Sequence, residues 1–444
     1  MFILLLILLS IGLIILATTV LKLHPFLALL AASFFFGICS GIPMEELIET
    51  INAGFGKTIG NIGIVIIVGI IIGTFLEKTG GAYTLANVVL RLVGSNRVHT
   101  AMGAIGYLVS IPVFADSGFI ILSSLNKALA KKAGVSLAGT AIALSLGLMA
   151  SHTMVPPTPG PIAAAGIIDA DLGKVILIGL FVSIGATLVV LQFANWMGKR
   201  IYIDPEPDLS ESEIMEKTAK APSAIKSFLP ILVPILLIIL RSIAKYPTEP
   251  FGTGGLADTL IFLGNPVFAL IVGLFFAFLL PKKLDRSMLS SSGWVGESLK
   301  AASLIILITG AGGAFGSVLQ HTDLKSVIDD LGIGNGLGLW LPFIISAIIK
   351  SAQGSSTVAI ITTAGIVQAM LGPMGLDAEM SKAMVVVAIG AGAGVVSHAN
   401  DSFFWVVTQM SNMSVNQGYR LHSLGSGILG ISAMIILSVI SLFL

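Results

Sequence analysis

Long apolar segments recur along the whole chain and are separated by short polar ones. A bilayer core about 30 Å thick is crossed by about 20 consecutive apolar residues in a helix. Segments without Asp, Glu, Lys or Arg occupy 2–21, 25–42, 58–76, 175–198, 259–281, 301–320 and 421–444. Because polar and apolar residues do not alternate at period two, an outer-membrane β-barrel is disfavoured. The pattern predicts an all-α polytopic membrane protein.

The composition agrees with this fold class. Only 11% of the 444 residues are charged, whereas soluble domains have about 25%. The net charge of +1 gives no electrostatic footprint for nucleic acid. One cysteine, Cys39, cannot form an intramolecular disulfide or a cysteine-ligated metal site. We therefore expect no cofactor, no metal and no nucleic-acid partner, and a retained first helix rather than a cleaved signal peptide.

The charged segments predict the orientation of the helices, because Lys and Arg of short loops stay on the cytoplasmic side. Basic residues cluster in 199–226 and 282–300, which are therefore predicted to lie inside. Acidic residues cluster in 43–57, which is predicted to be an outer loop. Working outward from these loops places the N-terminus outside.

The two halves of the chain resemble each other. Residues 69–79 (GIIIGTFLEKT) align with 312–322 (GGAFGSVLQHT), and Ser151-His152 aligns with Ser397-His398 at nearly the same spacing. The aligned helices are predicted to cross the membrane in opposite directions. Inverted repeats with interrupted helices are a signature of secondary transporters.

Three regions follow from this similarity. Residues 1–198 are predicted to form the first inverted-topology repeat together with the N-terminal helices. Residues 227–444 are predicted to form the second repeat. The hydrophilic segment 199–226 is predicted to be the cytoplasmic linker, because it is too short for a catalytic domain.

Each half contains two interrupted apolar segments. We expect re-entrant hairpins at 98–130, broken at 111–118, and at 337–371, broken at 350–356. We expect broken transmembrane helices at 133–168, broken at 156–161, and at 383–410, broken around 397–402. Non-helical backbone at membrane depth is tolerated only where it lines a cavity or is covered by protein. All four breaks are therefore predicted to meet near the midplane.

Polar residues at the breaks suit an anionic ligand, since the free N–H groups and the dipole of a half-helix N-terminus favour negative charge. The candidate substrate-binding residues are Ser117, Gly118, Thr158, Lys350, Ser355, Ser356, Thr357, Asn400 and Ser402. The alternative interpretation is that the hydroxyl residues are ordinary helix N-caps. For Lys350 the alternative is a side chain that reaches the outer interface.

Ionisable residues are costly at membrane depth and are usually functional there. The candidates for proton coupling are Asp116, His152, His398 and Asp401. The aspartates could instead be structural carboxylates bonded by neighbouring N–H groups. The histidines could instead be neutral and hold the unwound segments together.

Four strings, PVFADSGFIIL (112–122), SHTMVPPTPGP (151–161), KSAQGSSTVAIITTAG (350–365) and SHANDSFFWVV (397–407), resemble the gluconate:proton symporter (gluconate permease) family of the ion transporter superfamily. The resemblance implies proton-driven uptake of a small hydroxylated carboxylate across the bacterial inner membrane. It also implies a homodimer with a scaffold part and a mobile, elevator-type transport part that carries the hairpins.

A physical argument about the transport of an anion agrees with this implication. An interior-negative potential opposes the entry of an anion by about 2.3 kcal/mol per 100 mV, so accumulation needs a co-transported cation. We predict a secondary active transporter, not an enzyme, that imports gluconate or a related sugar acid by proton symport. The alternatives are sodium coupling through Asn400 and Asp401, another hydroxylated carboxylate or D-serine as substrate, a channel, and a membrane-embedded hydrolase. The hydrolase is disfavoured because no nucleophile or metal motif is present.

Overall fold

The computed structural model describes residues 2–94, 97–206, 221–245, 250–322 and 338–443, which form helices and connecting turns. The helices of the first half are α1 Phe2–Thr19, α2 Pro25–Cys39, α3 Met44–Lys78, α4 Gly81–Val93, α5 Val98–Val109, α6 Ala115–Lys132, α7 Leu137–Met154, α8 Pro159–Ile168 and α9 Leu172–Arg200. Those of the second half are α10 Ala224–Ala244, α11 Gly255–Leu263, α12 Pro266–Phe278, α13 Trp294–Gln320, α14 Trp340–Gln353, α15 Ser356–Gln368, α16 Glu379–Ala393, α17 Ser402–Met410, α18 Val415–Gly418 and α19 Leu424–Ile440, with a π-helical turn at Tyr419–Ser423 between the last two.

Several of these helices are long and apolar enough to cross a membrane. Within the described ranges there are five such helices by length and composition, or up to seven if each of two bent helix pairs counts as one span. Large apolar side chains such as Phe181, Phe275 and Leu442 are exposed, as expected for surfaces that face lipid tails. The chain is therefore a multi-pass membrane protein.

Apart from α4, the described helices of the two halves follow a similar order. In the first half the long helix α3 and then α4 are followed by the helix pair α5–α6, the broken helix α7–α8 and the long helix α9. In the second half α13 is followed by the pair α14–α15, the broken pair α16–α17 and the terminal helix α18–α19. The sequence breaks at 111–118, 156–161, 350–356 and 397–402 each coincide with a helix end, so the four predicted interruptions are present.

The two long helices α3 and α13 cross at glycines. A methyl group at Gly313 would lie 1.9 Å from Thr58 Oγ1, and one at Gly54 would lie 2.5 Å from Ser317 Oγ. Small residues let helix backbones approach closely in membranes, where van der Waals packing rather than the hydrophobic effect drives association. The Gly-rich run of α13 thus serves helix packing.

Glycines of α3 also make room for the two breaks of the first half. A methyl group at Gly73 would lie 2.1 Å from the Pro112 carbonyl oxygen, and one at Gly69 would lie 3.3 Å from that of Pro157. The tip between α5 and α6 and the turn between α7 and α8 therefore both rest against α3. The Ser110 hydroxyl shapes this tip by donating to the Val113 carbonyl at 3.0 Å.

Several element boundaries predicted from the sequence are wrong. Residues 44–57 of the predicted outer loop 43–57 are helical and belong to α3, and α4 occupies a stretch for which the sequence pattern predicts no helix. The apolar segment 259–281 is two helices, α11 and α12, which meet at an angle of 66°. The predicted inner loop 282–300 ends earlier, because α13 begins at Trp294. Most of the predicted linker, residues 207–220, and position 337 of the second hairpin lie outside the described residues.

Candidate functional site

Three of the four breaks border one cavity of about 470 Å³. Its polar lining comes from the start of α6, the last turn of α7, the tip between α14 and α15, and the segment between α16 and α17. Of the sequence-predicted residues it brings together Asp116, His152, Ser355, Ser356, Thr357, Asn400, Asp401 and Ser402. One wall is apolar and is formed by α13 through Ala301, Leu304, Ile305 and Ile308.

Three helix N-termini end at this cavity. Asp116 lies in the first turn of α6. Ser355 caps α15 and accepts a hydrogen bond from the Val358 amide at 3.3 Å, and Asp401 caps α17 by accepting from the Phe403 amide at 3.0 Å. Each terminus contributes unpaired backbone N–H groups and the positive end of a helix dipole. The arrangement suits an anionic group placed among the three helix ends.

The tip of the second hairpin is joined to the second broken helix by backbone and amide contacts. Gly354 has a positive φ of 91°, which favours glycine. A methyl group there would lie 2.2 Å from the Asn400 carbonyl oxygen. The Asn400 side-chain amide donates to the carbonyls of Ser351 at 2.9 Å and Ala352 at 3.1 Å. The two breaks of the second half thus form one continuous wall.

A buried ion pair lies behind this wall. Lys350 is 1% exposed and Asp401 is 5% exposed. The Lys350 ammonium donates to Asp401 Oδ2 at 2.5 Å and to the Gly354 carbonyl. Lys350 itself does not line the cavity, whereas Asp401 does. Removing one partner of a buried pair leaves a costly unpaired charge, so each of these two residues needs the other in this position.

Three polar atoms at the cavity wall are buried and have no hydrogen-bond partner among the described residues. They are Asp116 Oδ1, His152 Nδ1 and Gln353 Nε2. Buried polar groups without partners cost free energy and call for an explanation such as a ligand or water. Asp116 also lies close enough to Asp401 and Lys350 to interact with them electrostatically. Acceptor and donor groups are thus both available to a hydroxylated ligand.

The remaining sequence-predicted residues lie away from this cavity. The Ser117 hydroxyl lies beside the Glu77 carboxyl, and Gly118 packs against Leu148. The Thr158 hydroxyl donates to the Val155 carbonyl at 2.6 Å and lines a separate pocket of about 20 Å³. His398 Nε2 bonds to the Ser351 carbonyl at 2.8 Å. Both side chains thus bond to backbone carbonyls of the breaks, and the Thr158 hydroxyl makes no N-cap hydrogen bond to α8.

Sequence reasoning missed four polar residues near the cavity. Gln353 lines it directly, and Glu77 lines the small pocket that shares His152 with it. Ser397 and His422 extend the network behind Asp401. Gln353 belongs to the polar string at the hairpin tip and could have been found there. His422 lies in the apolar segment 421–444, 25 residues from Ser397. No feature of the sequence around it indicates that it contacts Ser397.

Comparison with known proteins gives consistent results. A model of GntP family permeases matches residues 2–443. The gluconate permease of Pseudomonas aeruginosa is 34% identical, over 98% of this chain and 96% of that protein. The inner membrane permease YgbN of Escherichia coli is 34% identical, over 94% of this chain and 93% of its own length. The D-serine transporter DsdX of Escherichia coli is 32% identical, over 96% and 95%.

Two solved structures share the fold. The MtrF protein of Neisseria gonorrhoeae, described with a class of antimetabolite efflux pumps, superposes with a TM-score of 0.64 at 13% identity, over 95% of this chain and 96% of that one. The YdaH transporter of Alcanivorax borkumensis superposes with a TM-score of 0.57 at 17% identity, over 90% of each chain. At these identities the likeness concerns the fold alone.

Proposed function

Because the chain belongs to the GntP family of permeases, we propose that it is a secondary active transporter importing gluconate or a related sugar acid by proton symport across the bacterial inner membrane. The observation that carries this proposal is the buried Lys350–Asp401 pair at the edge of a polar cavity. Relatives named as gluconate permeases support the substrate class.

The cavity suits a small polyhydroxy carboxylate. Its volume of about 470 Å³ falls within the range of about 300–1,000 Å³ usual for small-molecule sites. In the proposed complex the carboxylate lies against the helix termini at 355–358 and 402–403. The ligand hydroxyls bond to the Asp116 carboxyl, the His152 ring and the Gln353 amide.

The ion pair supplies the coupling. While Asp401 is ionised it neutralises Lys350, and its own negative charge repels an entering anion. Protonation of Asp401 removes that repulsion and leaves the Lys350 charge without its partner, so a substrate carboxylate binds more tightly. One proton carried with one anion makes the transfer electroneutral and removes the cost of about 2.3 kcal/mol per 100 mV.

Substitution of the two aspartates tests this mechanism. In proteoliposomes with an imposed inward proton gradient, Asp401→Asn should abolish accumulation of labelled gluconate, because the neutral amide mimics the protonated acid permanently. Gradient-free exchange of gluconate should persist. Asp116→Asn should weaken gluconate binding, since the amide alters the acceptor set. Asp285→Asn, in an exposed turn, is the matched control. Full accumulation by Asp401→Asn would refute the coupling role.

Sodium coupling is the second candidate within the same fold. The Lys350 ammonium already occupies Asp401 Oδ2, so a sodium ion there would have to displace a covalently tethered cation. This contact favours the proton. Replacing sodium by choline at constant pH should leave uptake unchanged, and a collapse of uptake would favour sodium instead.

We also propose that the two halves are inverted repeats and that the hairpins move with the broken helices against α3 and α13, within a homodimer. The repeated element order and the apolar α13 wall of the cavity support this elevator-type motion. In a Cys39→Ser background, linking Leu304→Cys to Ser402→Cys with a bifunctional maleimide should block gluconate uptake. Undiminished uptake by the linked protein would contradict relative motion of these walls.

A further inference from the structure

The ion pair continues into a buried hydrogen-bond chain that the proposed transport cycle does not use. Ser397 Oγ donates to Asp401 Oδ2. His422 Nε2 lies 3.0 Å from Ser397 Oγ, and His422 Nδ1 lies 3.2 Å from Ser145 Oγ. Ser397, His422 and Ser145 are each 0% exposed. This series of hydrogen bonds thus links Asp401 to His422, in the turn that continues into α19, and then to Ser145 in α7.

The directions of the two hydrogen bonds at the Ser397 hydroxyl follow from the number of protons available. Ser397 has one hydroxyl proton, which goes to the Asp401 carboxylate, so its oxygen must accept from His422 Nε2–H. A neutral imidazole then has an acceptor at Nδ1, and the Ser145 hydroxyl, which lies 3.2 Å from Nδ1 and 3.2 Å from the Ile142 carbonyl oxygen, can donate to either. The hydroxyl proton of Ser397 and the Nε2 proton of His422 are each used once while Asp401 is ionised.

The last helix also fixes the backbone of Ser397. The Ser397 amide donates to Ser426 Oγ at 2.9 Å, and the Ser423 hydroxyl donates to the Ser397 carbonyl at 2.5 Å. His422 and Ser423 lie in the π-helical turn Tyr419–Ser423, and such turns occur often at functional sites. Three side chains of one helix therefore hold the amide, carbonyl and hydroxyl of a single residue.

Resting on the proposed function, we propose that His422 is a positioning residue for Asp401 that acts through the Ser397 hydroxyl. Its Nε2–H keeps the Ser397 proton pointed at the carboxylate and so stabilises the ionised ion pair. The charged groups close enough to act on His422 are Asp401 and Lys350, among the residues that the structure describes. Its flanking rings, Phe403 and Phe404, carry no charge.

The test is the pH midpoint of gradient-free gluconate exchange in proteoliposomes. Ser397→Ala removes the hydrogen bond that the ionised Asp401 carboxylate accepts. Asp401 should therefore take up its proton at higher pH, and the pH midpoint of exchange should rise by about one unit. His422→Asn is too short to reach Ser397 and should raise the midpoint in the same direction by less. His422→Gln retains a donor near the Nε2 position and should restore the wild-type midpoint.

The double variant separates positioning from general damage. If His422 acts through Ser397, adding His422→Asn to Ser397→Ala should not move the midpoint further, because coupled residues are non-additive. His99→Gln, at a histidine that packs on Gly139 and Gly198, is the matched control and should leave the midpoint unchanged. An additive double variant, or a His422→Asn protein with lower rates and an unmoved midpoint, would overturn the inference. Failure of His422→Gln to restore the midpoint would overturn it as well, because it would assign the effect to titration of the ring.

The same vesicles distinguish this inference from the proposed function. If the wild-type protein exchanges gluconate but does not accumulate it under a proton gradient, the proposed symport is contradicted. The pH midpoints of exchange then still decide the role of His422. Exchange is measured in parallel with D-serine, so that a different substrate preference does not prevent the comparison. Wild-type exchange without a pH midpoint, or exchange of neither compound, overturns both.

Discussion

Gly354 sets the geometry at which the second hairpin meets the second broken helix. Its positive φ and its close approach to the Asn400 carbonyl both exclude a Cβ atom. Gly354→Ala should therefore separate the two breaks and lower gluconate uptake by about tenfold or more, since such backbone strain costs about 1–3 kcal/mol before the steric clash is added. Uptake per folded protein in proteoliposomes measures this effect.

Gly372→Ala is the control for this substitution. Gly372 lies in the turn after α15, and a methyl group there would have no neighbour within 4 Å. Uptake close to the wild-type value is expected. A Gly354→Ala protein that matches this control would show that the two breaks do not depend on each other.

The sequence predicts which polar residues stand at the breaks, but it does not predict in which direction their side chains point. Ser355 and Ser117 occupy similar places beside a break, yet only Ser355 reaches the cavity. Successive residues of a helix differ in direction by about 100°, so a shift of two positions past the helix start turns the side chain toward another neighbour. For Ser117 that neighbour is Glu77 on α3. Such a contact between distant residues cannot be derived from spacing.

At the scale of elements, the interruptions were predictable because apolar membrane segments tolerate few polar or Pro residues. Each predicted break contains several of them, and each coincides with a helix end. The first turns of α3 were missed for the converse reason, because their glutamates resemble a loop although an amphipathic helix at an interface has the same composition. Helix α4 was missed because it is apolar but only 13 residues long, which is shorter than a membrane span. The bend between α11 and α12 had a signal, Asn265-Pro266, that the long apolar segment masked.

The crossing of α3 and α13 provides a prediction at this scale. Gly313→Ala would place a methyl group 1.9 Å from Thr58 Oγ1, and overpacking typically costs about 1–3 kcal/mol. The melting temperature of the purified protein should fall. Gly60→Ala, on α3 but with no neighbour within 4 Å, should leave it nearly unchanged. Equal melting temperatures for both variants would contradict a tight crossing.

At the scale of the whole molecule, the charge pattern makes a prediction about sidedness. Cys39 is exposed at the end of α2, which the distribution of Lys and Arg predicts to lie outside. A membrane-impermeant maleimide should label this single thiol in intact cells. In a Cys39→Ser background, Asp204→Cys should react only after permeabilisation. The reverse pattern would invert the orientation of the chain.

The hydrogen bonds that hold Ser397 have a consequence for biogenesis. Residues 422–426, which hold Ser397, belong to a helix that leaves the ribosome after Lys350 and Asp401. Until that helix has inserted, the nascent chain has the ion pair of Lys350 and Asp401 but not the groups that fix its surroundings. The surroundings of the ion pair are thus completed only when residues 422–426 have been made and inserted, and products terminated before them are expected to be substrates for membrane proteases.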